Sequence, residues 1–261
     1  MPDFRPAIVA FALAALTSVT DVRAAETPTI AAAADLQFAL TDVADAFRAA
    51  DGREVRLTFG SSGNFFRQIQ ESAPFEMYMS ADEQFVSDLV AAGLTEDDCD
   101  LYAVGRIVLI VPHGSPLEPD GTLTDLAAAL ANGRVKKFAI ANPEHAPYGR
   151  RAEEVLRHAG LWEAIGDKLV LGENVSQAAQ FATTGGADGG IIAYSLARSL
   201  SVADLGRYEL IPDEWHEPLR QRMVLLSGAS ETARAFYAFL LSEPGRAIMR
   251  DYGFVLPGES S

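Results

Sequence analysis

One pattern repeats along the chain and constrains its fold more than any other feature. A short apolar run that reads as a strand leads into a small-residue loop, and the loop opens a helix. The fullest case is Phe138-Ala139-Ile140-Ala141, followed by Asn142-Pro143-Glu144-His145-Ala146-Pro147-Tyr148-Gly149-Arg150 and a helical run to Ala159. The same order recurs at Phe59-Gly60-Ser61-Ser62-Gly63-Asn64, at Gly172-Glu173-Asn174-Val175-Ser176, and after Ala31-Ala32-Ala33-Ala34. Alternation of strands and helices predicts an α/β chain with mostly parallel sheets. Each helix start exposes N–H groups without intrahelical partners and carries about half a positive charge. Four such starts meeting at one point would supply roughly two positive charges with no Lys or Arg, which suits a small dianion.

The charge balance sharpens this expectation. Lys and Arg number 21 against 36 Asp and Glu, a net charge of −15. No basic stripe exists to neutralise phosphates, so nucleic acid is excluded as a partner. An anion site on such a chain must work through local dipoles rather than long-range attraction. At the N-terminus, Arg5, the apolar run Ala7 to Val19 and Val22-Arg23-Ala24 read as a signal peptide over residues 1–24, cleaved near Ala24. About 13 apolar residues are too few to span a bilayer. A single Cys99 allows no internal disulfide, and an exported chain without disulfides fits a bacterial periplasm.

Further along, Leu36, Leu40, Val43 and Phe47 recur at helical spacing, and Val55, Leu57 and Phe59 alternate as a strand. Ser80-Ala81-Asp82-Glu83 reads as a capping box, as do Asn174 and Gln177. Asp97-Asp98 and Asp100 read as a solvated loop. Arg106 to Val111 is a continuous apolar strand at which the chain crosses into a second lobe. Tyr208 to Ile211 and Met223 to Leu226 read as strands returning to the first. The expected organisation is lobe I over 25–104 plus 221–261 and lobe II over 105–220. Two hinge crossings join them, with a ligand cleft between, where binding sites concentrate.

Gly60-Ser61-Ser62-Gly63 lacks the Gly-x-Ser-x-Gly spacing of a nucleophile elbow, and His113, His145, His158 and His216 suggest no triad. Its plain reading is a turn. Its functional reading is that Ser62 offers hydroxyl and amide to an oxyanion, with glycines allowing close approach. Tyr148 alone is an ordinary packing residue, but at a helix start after Pro147 its phenol can serve as a neutral donor. His145 has no second ligand at metal spacing, so no metal cation and no cofactor are expected.

With these residues assembled, the chain resembles the ModA-type molybdate-binding proteins, the periplasmic components of ABC importers. The similarity runs from Ile30-Ala31-Ala32-Ala33 to Tyr252-Gly253-Phe254. It is carried by Phe59 to Gly63, Gln68-Ile69, Ala73-Pro74-Phe75, Ser80-Ala81-Asp82, Asn142 to Gly149 and Glu173-Asn174-Val175. It implies a two-lobed, type II-like periplasmic binding protein fold and a non-enzymatic, monomeric protein. Such a protein captures molybdate, and tungstate with it, and passes it to a permease with its ATPase. It also implies a ligand set: Ser62 through its hydroxyl, Tyr148 through its phenol, Val175 through its amide, and Ala34 with Asp35 where the first loop enters its helix.

Two positions depart from that family's pattern. Members usually carry Ser or Thr at position 34, whereas Ala34 offers only an amide. The loss of one hydrogen bond to a charged ligand costs on the order of 1.5–3 kcal/mol, about one to two decades of affinity. The neighbouring Asp35 is expected to turn outward and support its own helix start, because an ionised carboxylate in the cleft would repel a dianion. Where other members place a ligand Tyr, the aligned residue is Ala193, and Tyr148 is expected to take that role. Molybdate and tungstate accept hydrogen bonds and donate none, so a site of pure donors favours them over monohydrogen phosphate. The alternatives are the same fold holding another anion because of Ala34 and Asp35, a hydrolase using Ser62, or a sensing module acting through a membrane partner.

Overall fold

A computed structural model describes residues 27–259, and the expected signal peptide lies outside them. The strands are β1 (Thr29–Ala33), β2 (Arg56–Gly60), β3 (Met77–Ser80), β4 (Thr95–Gly105), β5 (Ile107–Pro112), β6 (Phe138–Ala141), β7 (Leu169–Gly172), β8 (Gly190–Ala193), β9 (Gly206–Leu210) and β10 (Leu219–Leu226). The helices are α1 (Gln37–Asp51), α2 (Ser62–Gln70), α3 (Glu83–Ala91), α4 (Thr124–Ala131), α5 (Pro147–His158), α6 (Trp162–Ile165), α7 (Val175–Thr183), α8 (Tyr194–Arg198), α9 (Leu200–Ala203), α10 (Glu231–Leu241) and α11 (Glu243–Asp251). A 3-10 turn, Ala34–Leu36, joins β1 to α1.

The strands form two five-stranded sheets, ordered β2-β1-β3-β10-β4 and β7-β6-β8-β5-β9. Each is the centre of one α/β lobe. In the first, β1 runs parallel to β2 and β3. In the second, β6 runs parallel to β7 and β8. The strands that carry the chain between lobes are antiparallel to their neighbours: β10 against β3 and β4, and β5 against β8 and β9. Both sheets are therefore mixed rather than mostly parallel.

The local signals explain the helices. Ala39, Leu40, Val43 and Phe47 form the buried stripe of α1, which stops at Gly52 in the left-handed conformation at φ 82°. Phe47 packs edge-on against Phe236 of α10 at 5.4 Å between ring centres. β5, β6 and β8 are buried on both faces, so they read as continuous apolar runs rather than alternating ones.

Several sequence expectations change. The segment Tyr208 to Ile211 does not return to the first lobe: β9 lies in the second sheet beside β5. Only β10 returns, and it begins at Leu219, because Leu219 and Arg220 pair with Gly105 and Val104. The acidic run that read as a solvated loop is part of β4, where Asp100 pairs with Met223. Its carboxylate accepts a 2.7 Å hydrogen bond from Tyr237, and Arg234 pairs with Glu96. Partners on β10 and α10 thus override the poor strand propensity of Asp. In α3 the capping residue is Asp82, which accepts from the Gln84 amide, while Ser80 bonds the backbone of Asp82.

The start of α5 presses directly on the end of β6. A Cβ on Gly149 would run into the Ala141 carbonyl and lie 2.8 Å from the carbonyl carbon of Asn142. Backbone cannot yield there as a side chain can, so Gly149→Ala should destabilise the fold by on the order of 1–3 kcal/mol. Thermal unfolding should show a loss of roughly 2–4 °C for each kcal/mol. An unchanged midpoint would mean that α5 sits less tightly on β6 than described.

Candidate functional site

The carboxyl ends of β1, β2, β3, β6 and β7 point at one place. There a small cavity of about 10 Å³ lies between the lobes, room for about one water molecule. Its wall is Ala33, Ala34 and Asp35 after β1, Gly60, Ser61 and Ser62 after β2, Ala81 after β3, Ala146, Pro147 and Tyr148 after β6, and Asn174 and Val175 after β7. All five residues singled out from the sequence, Ala34, Asp35, Ser62, Tyr148 and Val175, are on that wall. A larger surface groove of about 390 Å³ flanks the outer side of α7 and contains none of them.

Four helical segments start at the cavity. Ala34 opens the 3-10 turn, Ser62 is the first residue of α2, Tyr148 the second of α5, and Val175 the first of α7. Asn174 caps α7 by accepting from the Gln177 amide at 3.1 Å, and the Gln177 side chain accepts from the Glu173 amide at 2.7 Å. The Ser62 hydroxyl accepts from the Ala81 amide at 3.0 Å, which leaves its hydrogen to donate. Among the described residues, no Lys, Arg or His stands on the cavity wall.

Asp35 departs from its expected orientation. It is 1% exposed, and its neighbours Ala34 and Leu36 are buried with it, so the turn has no outward side. Its Oδ2 accepts from the Tyr148 hydroxyl at 3.0 Å and from Gln221 Nε2 at 2.7 Å. The Tyr102 hydroxyl donates to Gln221 Oε1 at 2.8 Å, which orients the amide. Burial pushes the Asp35 carboxyl up to about 6, against the lowering effect of the bonds from Gln221 and Tyr148. Burial and the nearby Asp35 carboxyl also drive the Tyr148 phenol well above its ordinary range, so it stays a neutral donor.

Further contacts tie the lobes together around the cavity. The Gly63 amide donates to the His145 carbonyl at 2.9 Å, and His145 Nδ1 lies 2.9 Å from the Ser61 hydroxyl. Ser176 donates to the Ala34 carbonyl at 2.9 Å and Ser195 to the Asp35 carbonyl at 2.8 Å. Arg150 sits 3.4 Å from Asp82 and 5.2 Å from the Phe85 ring centre.

Gln221 is the residue that sequence reasoning missed. The signal was a polar side chain on the inward register of β10, between Leu219 and Met223, where all three are fully buried. A buried amide requires partners, and it has them in Asp35 and Tyr102. Ala193 ends β8 and is absent from the cavity wall, while the Tyr194 ring packs 6.0 Å from Tyr208. Tyr148 is the tyrosine on the wall.

Residues 28–255 match the family model described as bacterial extracellular solute-binding protein. The chain belongs to that family. Its members bind and hand over solutes rather than catalyse reactions. The molybdate-binding protein ModA of Rhodobacter capsulatus is 34% identical over 228 residues, 86% of each chain. ModA of Azotobacter vinelandii is 34% identical over 230 residues, 87% of this chain and 89% of that one. The solved structure of the Azotobacter vinelandii periplasmic molybdate-binding protein superposes with a TM-score of 0.78 at 28% identity, covering 88% of this chain and 99% of that one. The resemblance read from the sequence and the two-lobed fold agree with these matches.

The raised carboxyl has a consequence for stability. With a value near 6 folded and 3.8 in the ordinary state, Asp35 costs nothing at low pH, where both states hold the proton. The cost grows as pH rises from about 4 to about 6 and is complete above that. Asp35→Asn keeps the shape and the acceptor without the charge. Urea unfolding should find it more stable than the parent at neutral pH by on the order of 2–3 kcal/mol, and equal near pH 4. A variant less stable at neutral pH would show that the charge is compensated.

Proposed function

We propose that this protein captures molybdate, and tungstate with it, in the cavity between its lobes and delivers it to an ABC permease with its ATPase. One observation carries the reading: four helical starts and the Ser62 hydroxyl converge on a cavity between the lobes whose wall, among the described residues, bears no cation. Donors without positive side chains suit an anion that accepts at every oxygen and has no proton to give. Similarity to molybdate-binding relatives over most of the chain supports the same ligand. In this reading Ser62 donates its hydroxyl, the starts at Ala34 and Val175 donate amides, and Tyr148 donates its phenol or fixes Asp35. Binding is by hydrogen bonds and helix dipoles, in an exported, periplasmic, monomeric protein.

The cavity of about 10 Å³ is smaller than a five-atom oxyanion. Loading therefore requires the lobes to part at their two crossings and close again on the ligand. Among the described residues the moving units are 27–105 with 219–259 on one side and 106–218 on the other. A second reading, in which the cavity takes a different anion, is favoured by one observation, the acidic side chain of Asp35 on the wall.

Thermal unfolding with molybdate, tungstate, sulfate and phosphate at equal concentration tests the assignment. A ligand at 100 times its dissociation constant stabilises by about 2.7 kcal/mol. Molybdate and tungstate should raise the midpoint, and phosphate should not. Ser62→Ala should weaken molybdate about tenfold to a hundredfold in direct titration. Equal affinity in parent and variant would remove Ser62 from the site.

Closure is tested separately. A Cβ on Gly63 would meet the His145 carbonyl oxygen at 2.7 Å across the lobe interface. Gly63→Ala should weaken binding while the ligand-free protein keeps its secondary structure by circular dichroism. Unimpaired binding would place closure elsewhere.

A further inference from the structure

The hydrogen bonds of Asp35 are lopsided. Oδ2 accepts from both Tyr148 and Gln221, whereas Oδ1 is buried and has no partner among the described residues. Gln221 Nε2 can only donate, so Oδ2 acts as an acceptor there, and a proton on Oδ1 leaves both bonds to Oδ2 as they stand. Asp35 stands on the cavity wall, which makes Oδ1 the carboxyl atom left for a ligand.

Among the described residues, the groups that bond Asp35 carry no positive charge. From α5 comes the Tyr148 phenol, from β10 the Gln221 amide, from β4 the Tyr102 phenol through that amide, and from α8 the Ser195 hydroxyl on the Asp35 backbone. From β3 comes Tyr78, whose hydroxyl donates to the Ser62 carbonyl. α7 brings Ser176 to the Ala34 carbonyl. The nearby imidazole, His145, is engaged by Ser61 and lies 3.7 Å from Glu173. An ionised Asp35 beside a dianion would set like charges together in a dry space, where they are poorly screened.

We propose that Asp35 binds the anion as a neutral carboxylic acid, Oδ1–H donating to one of its oxygens, so that the protein takes up a proton from solvent as the anion binds. This rests on the oxyanion reading of the cavity. It explains how Ala34 is tolerated: the hydroxyl missing at position 34 is replaced by an O–H one residue later. It also turns the acidic residue from an obstacle into a selector, since a neutral acid donates to a fully deprotonated oxyanion. Burial already holds the carboxyl near 6, and a dianion alongside favours the proton further. Above that value each unit of pH should therefore weaken binding by up to about tenfold, as one proton is required per anion.

The test is calorimetric titration of the ligand-free protein with sodium molybdate, from about pH 6 to about pH 9, in buffers of different ionisation enthalpy. The expected result is uptake approaching one proton per anion at the alkaline end, with affinity falling as pH rises. Asp35→Asn, which carries an N–H donor at the same place, should bind with little proton uptake and a flat pH profile. Parent protein that binds molybdate with no proton uptake and constant affinity overturns the proposal and leaves the oxyanion reading standing. So does a preference for phosphate that Asp35→Asn abolishes, because the carboxylate would then be accepting the ligand's own proton. If neither protein binds molybdate, tungstate or sulfate at any pH, the oxyanion reading falls and this proposal with it. The parent measurements decide the matter even if the variant fails to fold.

Discussion

A parallel strand that hands its chain to a helix leaves unpaired N–H groups at its carboxyl end, and the rest of this structure depends on that constraint. In each sheet the parallel strands deliver such helix starts to one edge. The two edges face each other across the lobe interface, so five strand ends, those of β1, β2, β3, β6 and β7, surround a single cavity. The antiparallel strands β5 and β10 serve a different purpose. They carry the chain across and back, which lets two separate sheets present the same kind of edge to one ligand.

A site built this way does not need cationic side chains, and a chain with a net charge of −15 provides none on the cavity wall. Its donors are amides and hydroxyls held by backbone geometry, and they lose little freedom when a ligand arrives. The same low-dielectric setting penalises any uncompensated charge. Asp35 is where these two requirements meet. Its carboxyl is tied by Gln221 within its own lobe and by Tyr148 across the interface between lobes, and its burial moves its titration toward neutrality. The interlobe bonds of Ser61, Gly63, Ser176 and Ser195 close the same space from other sides.

Much of this was legible locally. The stripe of α1 and the Asn174 cap of α7 follow from short-range rules, because the atoms that make each signal lie within one or two turns, whereas α5 begins at Pro147, inside the stretch that read as loop. The acidic stretch at the start of β4 was not legible, since its strand pairing is set by Met223, Val224 and Arg234 far along the chain. The place of β9 was missed for a related reason. A short strand does not say which of two sheets will accept it, and only its pairing with β5 decides.

By itself the sequence determined the repeated strand-to-helix units, the family resemblance and the five residues that reach the cavity wall. These depend on local spacing and on motifs that survive without knowledge of the fold. Tertiary structure alone decided the orientation of Asp35 and the role of Gln221. Read locally, an acidic residue at a helix start belongs in solvent, and a glutamine in a strand belongs on its wet face. The assembled fold buries both positions, and a buried polar group must then find partners from distant segments. The register of Leu219, Gln221 and Met223 marks position 221 as inward, but no spacing rule names its partners, because Asp35 and Tyr102 are brought to it by the first sheet and Tyr148 only when the lobes meet.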